Sequence, residues 1–100
     1  MLDLRRLVGF DWDEGNIRKN AAKHAVSQLE CEQTFFNEPL LLLPDIKHSE
    51  AEDRWHALGR SDQGRLLHIT FTVRGEATLI RIISARDMSR RERGYYAKGH

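Results

Sequence analysis

A chain of 100 residues, 40% hydrophobic and 31% charged, has the size and balance of a single soluble globular domain. No apolar stretch approaches a membrane span and the first residues lack a signal-peptide core. The single cysteine, Cys31, cannot build a disulfide framework, so the expected setting is a reducing cytoplasm.

The net charge of +1 conceals a polarity along the chain. Between Glu30 and Asp53 seven acids stand against Lys47, whereas from Arg81 onward six bases stand against Asp87 and Glu92. Such asymmetry suits a nucleic-acid or charged-protein partner, or cancels internally on folding.

Val8 to Trp12 alternates like a short opening strand. Asp11 or Asp13 can cap a helix running to about His24, with Ile17, Ala21 and His24 on one face. Ser27-Gln28-Leu29-Glu30 is a capping box, predicting a second helix to Phe35 or Phe36 that stops before Asn37-Glu38-Pro39. Leu40 to Leu43 reads as a strand closed by Pro44-Asp45, and the polar stretch from Ile46 to Asp53 as a loop. Arg54 to Arg60 reads as another strand, followed by the turn signal Ser61-Asp62-Gln63-Gly64. Next comes the clearest alternation in the chain. Leu67, Ile69, Phe71 and Val73 point one way, and Leu66, His68, Thr70 and Thr72 the other. Arg74-Gly75-Glu76 turns the chain into a last strand from Ala77 to Ala85, and Ser89-x-x-Glu92 caps a final helix from about Arg90. The order is a strand, two helices, three or four antiparallel strands and one helix. With no parallel βαβ alternation, the class is α+β.

Several short patterns then occur in a fixed order. Phe10-Asp11-Trp12-Asp13 is followed by Asn20-x-x-Lys23-His24-x-Val26-Ser27 and by Phe36-Asn37-Glu38-Pro39. His48-Ser49-Glu50-x-Glu52-Asp53-Arg54-Trp55 and Leu58-Gly59-Arg60 come next, then Arg81-Ile82-Ile83-Ser84-Ala85-Arg86 with Arg91-x-Arg93-x-x-Tyr96. The ordered set resembles the BrnT toxins over almost the whole chain. That resemblance implies a RelE-like fold and a toxin of a type II toxin–antitoxin pair, acting as a ribonuclease that arrests translation. It also implies a small BrnA-like antitoxin, which alone contacts operator DNA, and hence a hetero-oligomeric complex. One departure is Ala25, where the family commonly has glycine; a left-handed backbone there would strain alanine by about 1 kcal/mol.

Cutting RNA without a metal requires a base for the ribose 2′-hydroxyl, an acid for the leaving oxygen and cations for the phosphorane. His24, His48, His56, His68 and His100 are scattered, with no zinc-ligand spacing, so a metal-independent mechanism without cofactor is expected. For phosphate stabilisation the candidates are Arg81, Arg86 and Arg54, because guanidinium groups match phosphate geometry. Arg81 equally suits a structural ion pair with Glu50, Glu52 or Asp53. Arg81 and Arg86 are five positions apart, so uniform alternation puts them on opposite faces. They share a site only if the strand ends or twists near Ser84.

His68, Glu52, Tyr95 and Tyr96 are the acid–base candidates. Lys23, Arg91, Arg93 and Tyr96 are candidates for RNA contact, with packing of the last helix an equal explanation of Tyr96. His24 fits a cationic cap at a helix C-terminus. The alternatives are a degenerate, non-catalytic toxin serving as a co-repressor scaffold, or a nucleic-acid binder without chemistry.

Overall fold

Two capping boxes each open a helix. A computed structural model describes residues 2, 4–15, 25–48 and 52–99. In it the Ser27 hydroxyl accepts from the Glu30 amide while the Glu30 carboxylate accepts from the Ser27 amide, opening α1 (Gln28–Thr34). Ser89 and Glu92 repeat this reciprocal arrangement at the start of α2 (Arg90–Ala97). The helix expected between Asp13 and His24 falls on positions outside the described residues for most of its length, as do Lys23, His24 and Glu50.

Among the described residues five strands form one mixed sheet: β1 (Gly9–Phe10), β2 (Leu41–Pro44), β3 (Trp55–Arg60), β4 (Leu66–Arg74) and β5 (Leu79–Asp87), in the order β1-β5-β4-β3-β2. The antiparallel meander from β2 to β5 follows from the turn signals. In the first of these turns Gly64 holds φ of +84°, open to glycine at little cost. The short β1 adds a pairing that local patterning did not predict: it lies parallel to β5, with Gly9 beside Leu79 and Phe10 beside Ile80. Residues 46–48, expected as loop, make one 3₁₀ turn.

One face of the sheet carries the main core. Leu67, Ile69 and Phe71 of β4, Ala57 of β3, and Ile80, Ile82 and Ala85 of β5 are buried together with Val26 and Cys31. Phe35, just past α1, meets Phe71 edge-on at 5.1 Å between ring centroids. Close approach of α1 to the sheet depends on Gly59: a Cβ there would lie 2.7 Å from Thr34 Cγ2. Burial pushes the Cys31 thiol up to about 12, so it is a packing residue rather than a nucleophile. Helix α2 covers one end of the opposite face, where Tyr96 packs with Leu58 and Met88.

Candidate active site

The face opposite the main core is read in rows across the strands. Cα pairing places Leu58, His68 and Arg86 in one row, and His56, Thr70 and Ser84 in the next. Thr72 and Arg81 follow, and alternation along β3 brings half-buried Arg54 to the same row.

Arg81 and Arg86 therefore share this face although five positions separate them. The cause is a β-bulge: Thr70 pairs with Ser84 but Phe71 pairs with Ile82, so Ile83 has no opposite residue. The extra residue reverses the alternation of β5 between the two arginines. His68 and Thr72, their partners, are four residues apart on β4, so the arginine backbones are separated by roughly 13 Å.

Where α2 leans over this face, a groove of about 410 Å³ is lined by Leu43, His56, Leu58, His68, Arg91, Glu92 and Tyr95. The two imidazole rings lie 4.7 Å apart between centroids, tilted by 38°. His56 Nδ1 is 3.0 Å from the Thr70 hydroxyl and its Nε2 is 3.3 Å from Asp45 Oδ2. Asp45 reaches this position because its amide donates to the Arg54 carbonyl, extending the pairing of β2 with β3 by one residue. Burial raises the affinity of the Asp45 carboxyl for its proton. The hydrogen bond with His48 and the nearby His56 outweigh that effect and hold the carboxyl below the usual range.

His68 Nε2 lies 3.7 Å from Glu92 Oε2. Burial, then the Arg86 guanidinium, depress its proton affinity; Glu92 opposes them and His56 adds to them. His68 is therefore neutral at physiological pH, with a nitrogen lone pair available as a base. Glu92 cannot be the matching acid. Both Nη atoms of Arg86 donate to its carboxylate, at 2.8 and 3.0 Å, and the Ser89 amide donates a third bond at 2.8 Å. The Arg86 hydrogen bonds above all bring the Glu92 pKa down to about 2, making it a permanent anion near neutrality.

The family model described as "Ribonuclease toxin, BrnT, of type II toxin-antitoxin system" matches residues 12–92. The chain belongs to the BrnT family. The similarity extends to the fold. The 1.1 Å crystal structure of the Brucella abortus ribonuclease toxin BrnT superimposes with a TM-score of 0.61 at 25% sequence identity, covering 82% of this chain and 97% of that one. None of the curated proteins matches the chain. Membership of a type II toxin family brings with it an antitoxin partner.

Against this BrnT background, the residues singled out by sequence separate. His68 lines the groove, with Arg86 directly behind it in the sheet and engaged by Glu92. Arg81 occupies the same face but is drawn toward the N-terminal segment: Nη2 donates to Asp13 Oδ2 at 2.7 Å and Nη1 to the Asp11 carbonyl at 3.2 Å. These acids, rather than Glu52 or Asp53, supply its ion pair. Glu52 instead meets Arg74, at 3.4 Å. Arg91 lines the groove and Arg93 points elsewhere on exposed α2.

Tyr96, expected as an RNA-stacking face or a packing residue, takes the packing role: it is 8% exposed and its phenol donates to the Pro39 carbonyl at 2.6 Å. The ring that faces the groove is its neighbour Tyr95.

His56 and Asp45 were absent from the residues selected by sequence. A signal for His56 was present. The hairpin pairs Arg60 with Leu66, so counting back from the turn sets His56 opposite Thr70, one step diagonally from His68. Asp45 had no such signal, because its role depends on how the segment after β2 folds back on β3. Among the described residues no group of three or more His, Cys, Asp or Glu side chains is arranged to hold a metal ion. No helix among them is long and apolar enough to cross a membrane.

Proposed function

We propose that this BrnT-family protein is a metal-independent endoribonuclease toxin, RelE-like in its architecture. In this reading it arrests translation by cutting RNA and is neutralised by a BrnA-like antitoxin, which carries the contact with operator DNA. The single observation carrying the proposal is the groove itself: a neutral, largely buried histidine beside an exposed arginine and an exposed tyrosine, in a chain of a ribonuclease family.

RNA enters with its scissile phosphate against Arg91. His68 Nε2 removes the proton from the ribose 2′-hydroxyl, and the 2′-oxygen forms a bond to phosphorus as the bond to the 5′-oxygen breaks. Water supplies the proton that the departing oxygen needs, leaving a cyclic phosphate on one fragment and a free 5′-hydroxyl on the other. Arg86, held by Glu92, contributes positive potential behind the phosphate, and Tyr95 offers a ring for a base to stack on. Arg81 and Arg54 extend the cationic face across the sheet, Arg93 and Glu52 lie at its periphery, and Lys23 is a further candidate for RNA contact.

The test is incubation of purified, antitoxin-free protein with end-labelled single-stranded RNA in the presence of a chelator, with and without ribosomes. Cleavage to fragments with these ends is expected, and His68→Ala should slow it by about 100-fold or more. In cells, Arg86→Ala and Arg81→Ala should each relieve growth arrest; because each also breaks an ion pair, the urea midpoint of each variant shows how much folded protein remains. RNA left intact in both settings by a protein that still binds its antitoxin would replace this reading with the non-catalytic scaffold.

A further inference from the structure

We propose that His56 is a positioning residue for His68, with Asp45 as its anchor. The inference rests on the reading of the groove as a ribonuclease site and adds to it two residues to which no role has been given.

Three observations carry it. His56 is fixed at both ring nitrogens, by Asp45 Oδ2 at 3.3 Å and by the Thr70 hydroxyl at 3.0 Å. Its ring lies against that of His68 at 4.7 Å between centroids, close enough to set the second ring's orientation and to feel its charge. Asp45, the anchor, is only 8% exposed, an unusual place for a carboxylate unless its partners need it.

The hydrogen-bonding partners also suit an imidazole that changes protonation in place. A carboxylate accepts from Nε2–H in either state. A hydroxyl can donate to a bare Nδ1 or accept from Nδ1–H by rotating. His56 is therefore held at both ring nitrogens, and its packing against His68 fixes the orientation of that ring beside the groove.

The groups facing His68 are Arg86 from β5, Glu92 and Arg91 from α2, and His56 from β3. Those facing His56 are Asp45, with His48 bonded to it, and Thr70 and His68 from β4. Two imidazolium ions at this spacing repel, and the nearness of His56 adds to the lowering of the His68 proton affinity. His56 thereby restrains protonation of His68 as well as its orientation.

The test is a pH titration of ring-labelled histidine by NMR, run alongside pH–rate profiles for RNA cleavage. In the unaltered protein the His68 ring should titrate below the ordinary histidine midpoint. In His56→Gln, the His68 midpoint should move upward, with the acid limb of kcat/KM moving to match. Asp45→Asn should lower kcat by about tenfold while KM holds, the signature of lost positioning. An unmoved His68 midpoint in His56→Gln, or a KM that rises while kcat holds in Asp45→Asn, would overturn the inference. The NMR result is independent of activity. A moved His68 midpoint in a protein that cuts no RNA supports the pairing and removes the ribonuclease reading, whereas cleavage with an unmoved midpoint does the reverse.

Discussion

Ala25 holds φ of +53°, the left-handed region that a Cβ disfavours, in the segment leading to α1. Its carbonyl accepts a 2.9 Å hydrogen bond from Arg65, whose guanidinium also bridges Glu30 and Asp87, so the neighbouring structure holds the residue in this conformation. Ala25→Gly should raise folding stability by about 1 kcal/mol, read as a later urea midpoint with an unchanged slope. His68 gives a prediction of a different kind. Its proton affinity is depressed in the folded protein from an ordinary value of 6.5, principally by burial, so the unfolded chain binds the proton more readily. The associated stability is complete above that value and is lost as pH falls through the lower, folded midpoint. Denaturation curves collected from pH 7.5 down to pH 5 should therefore lose stability in this window, and His68→Gln should lose less.

At the scale of elements, Glu92 joins three of them. It caps α2 through the Ser89 amide, clasps Arg86 of β5, and lies beside His68 of β4. Replacing it with glutamine keeps the shape but removes the anion from the arginine. With both side chains partly solvated, the cost should be about 1–3 kcal/mol in thermal or chemical unfolding. The sign with pH is opposite in origin to that of a raised group. The Glu92 carboxyl is brought down from 4.5 to about 2, so its stabilisation is present above 4.5 and disappears as pH falls toward 2. Glu92→Gln should flatten that acid limb. Both capping boxes and the register of the β3–β4 hairpin were legible from sequence, because each depends on residues a few positions apart. The choice between Tyr95 and Tyr96 was not: adjacent positions on a helix differ only in phase, and the sheet to which α2 docks decides which ring is buried.

At the scale of the molecule, the cationic end of the sequence divides into two functions. Arg86 serves largely to hold α2, whereas Arg90, Arg91 and Arg93 remain exposed. Arg81 closes the N-terminal segment onto the sheet across 70 positions of sequence, a partnership that no local pattern could announce. The parallel pairing of β1 with β5 was hidden for the same reason. If the groove face is the toxic surface, an antitoxin that neutralises by occlusion should compete with RNA for it. Antitoxin-saturated protein should then fail to retain RNA in a filter-binding assay. For the free protein, RNA affinity should fall with salt with a log–log slope of about −0.7 for each phosphate contacted. RNA binding unaffected by bound antitoxin would instead place neutralisation elsewhere on the molecule.

The bulge at Ile83 acts on the sheet as a frameshift acts on a message. Residues before it are read in one phase and residues after it in the other, so Arg81 and Arg86 become legible to the same surface only because of one unpaired position between them. Single-residue insertion or deletion there would conserve every arginine and still send one of them to the wrong side. Comparison of related chains should therefore count the spacing between these two arginines as strictly as their identity.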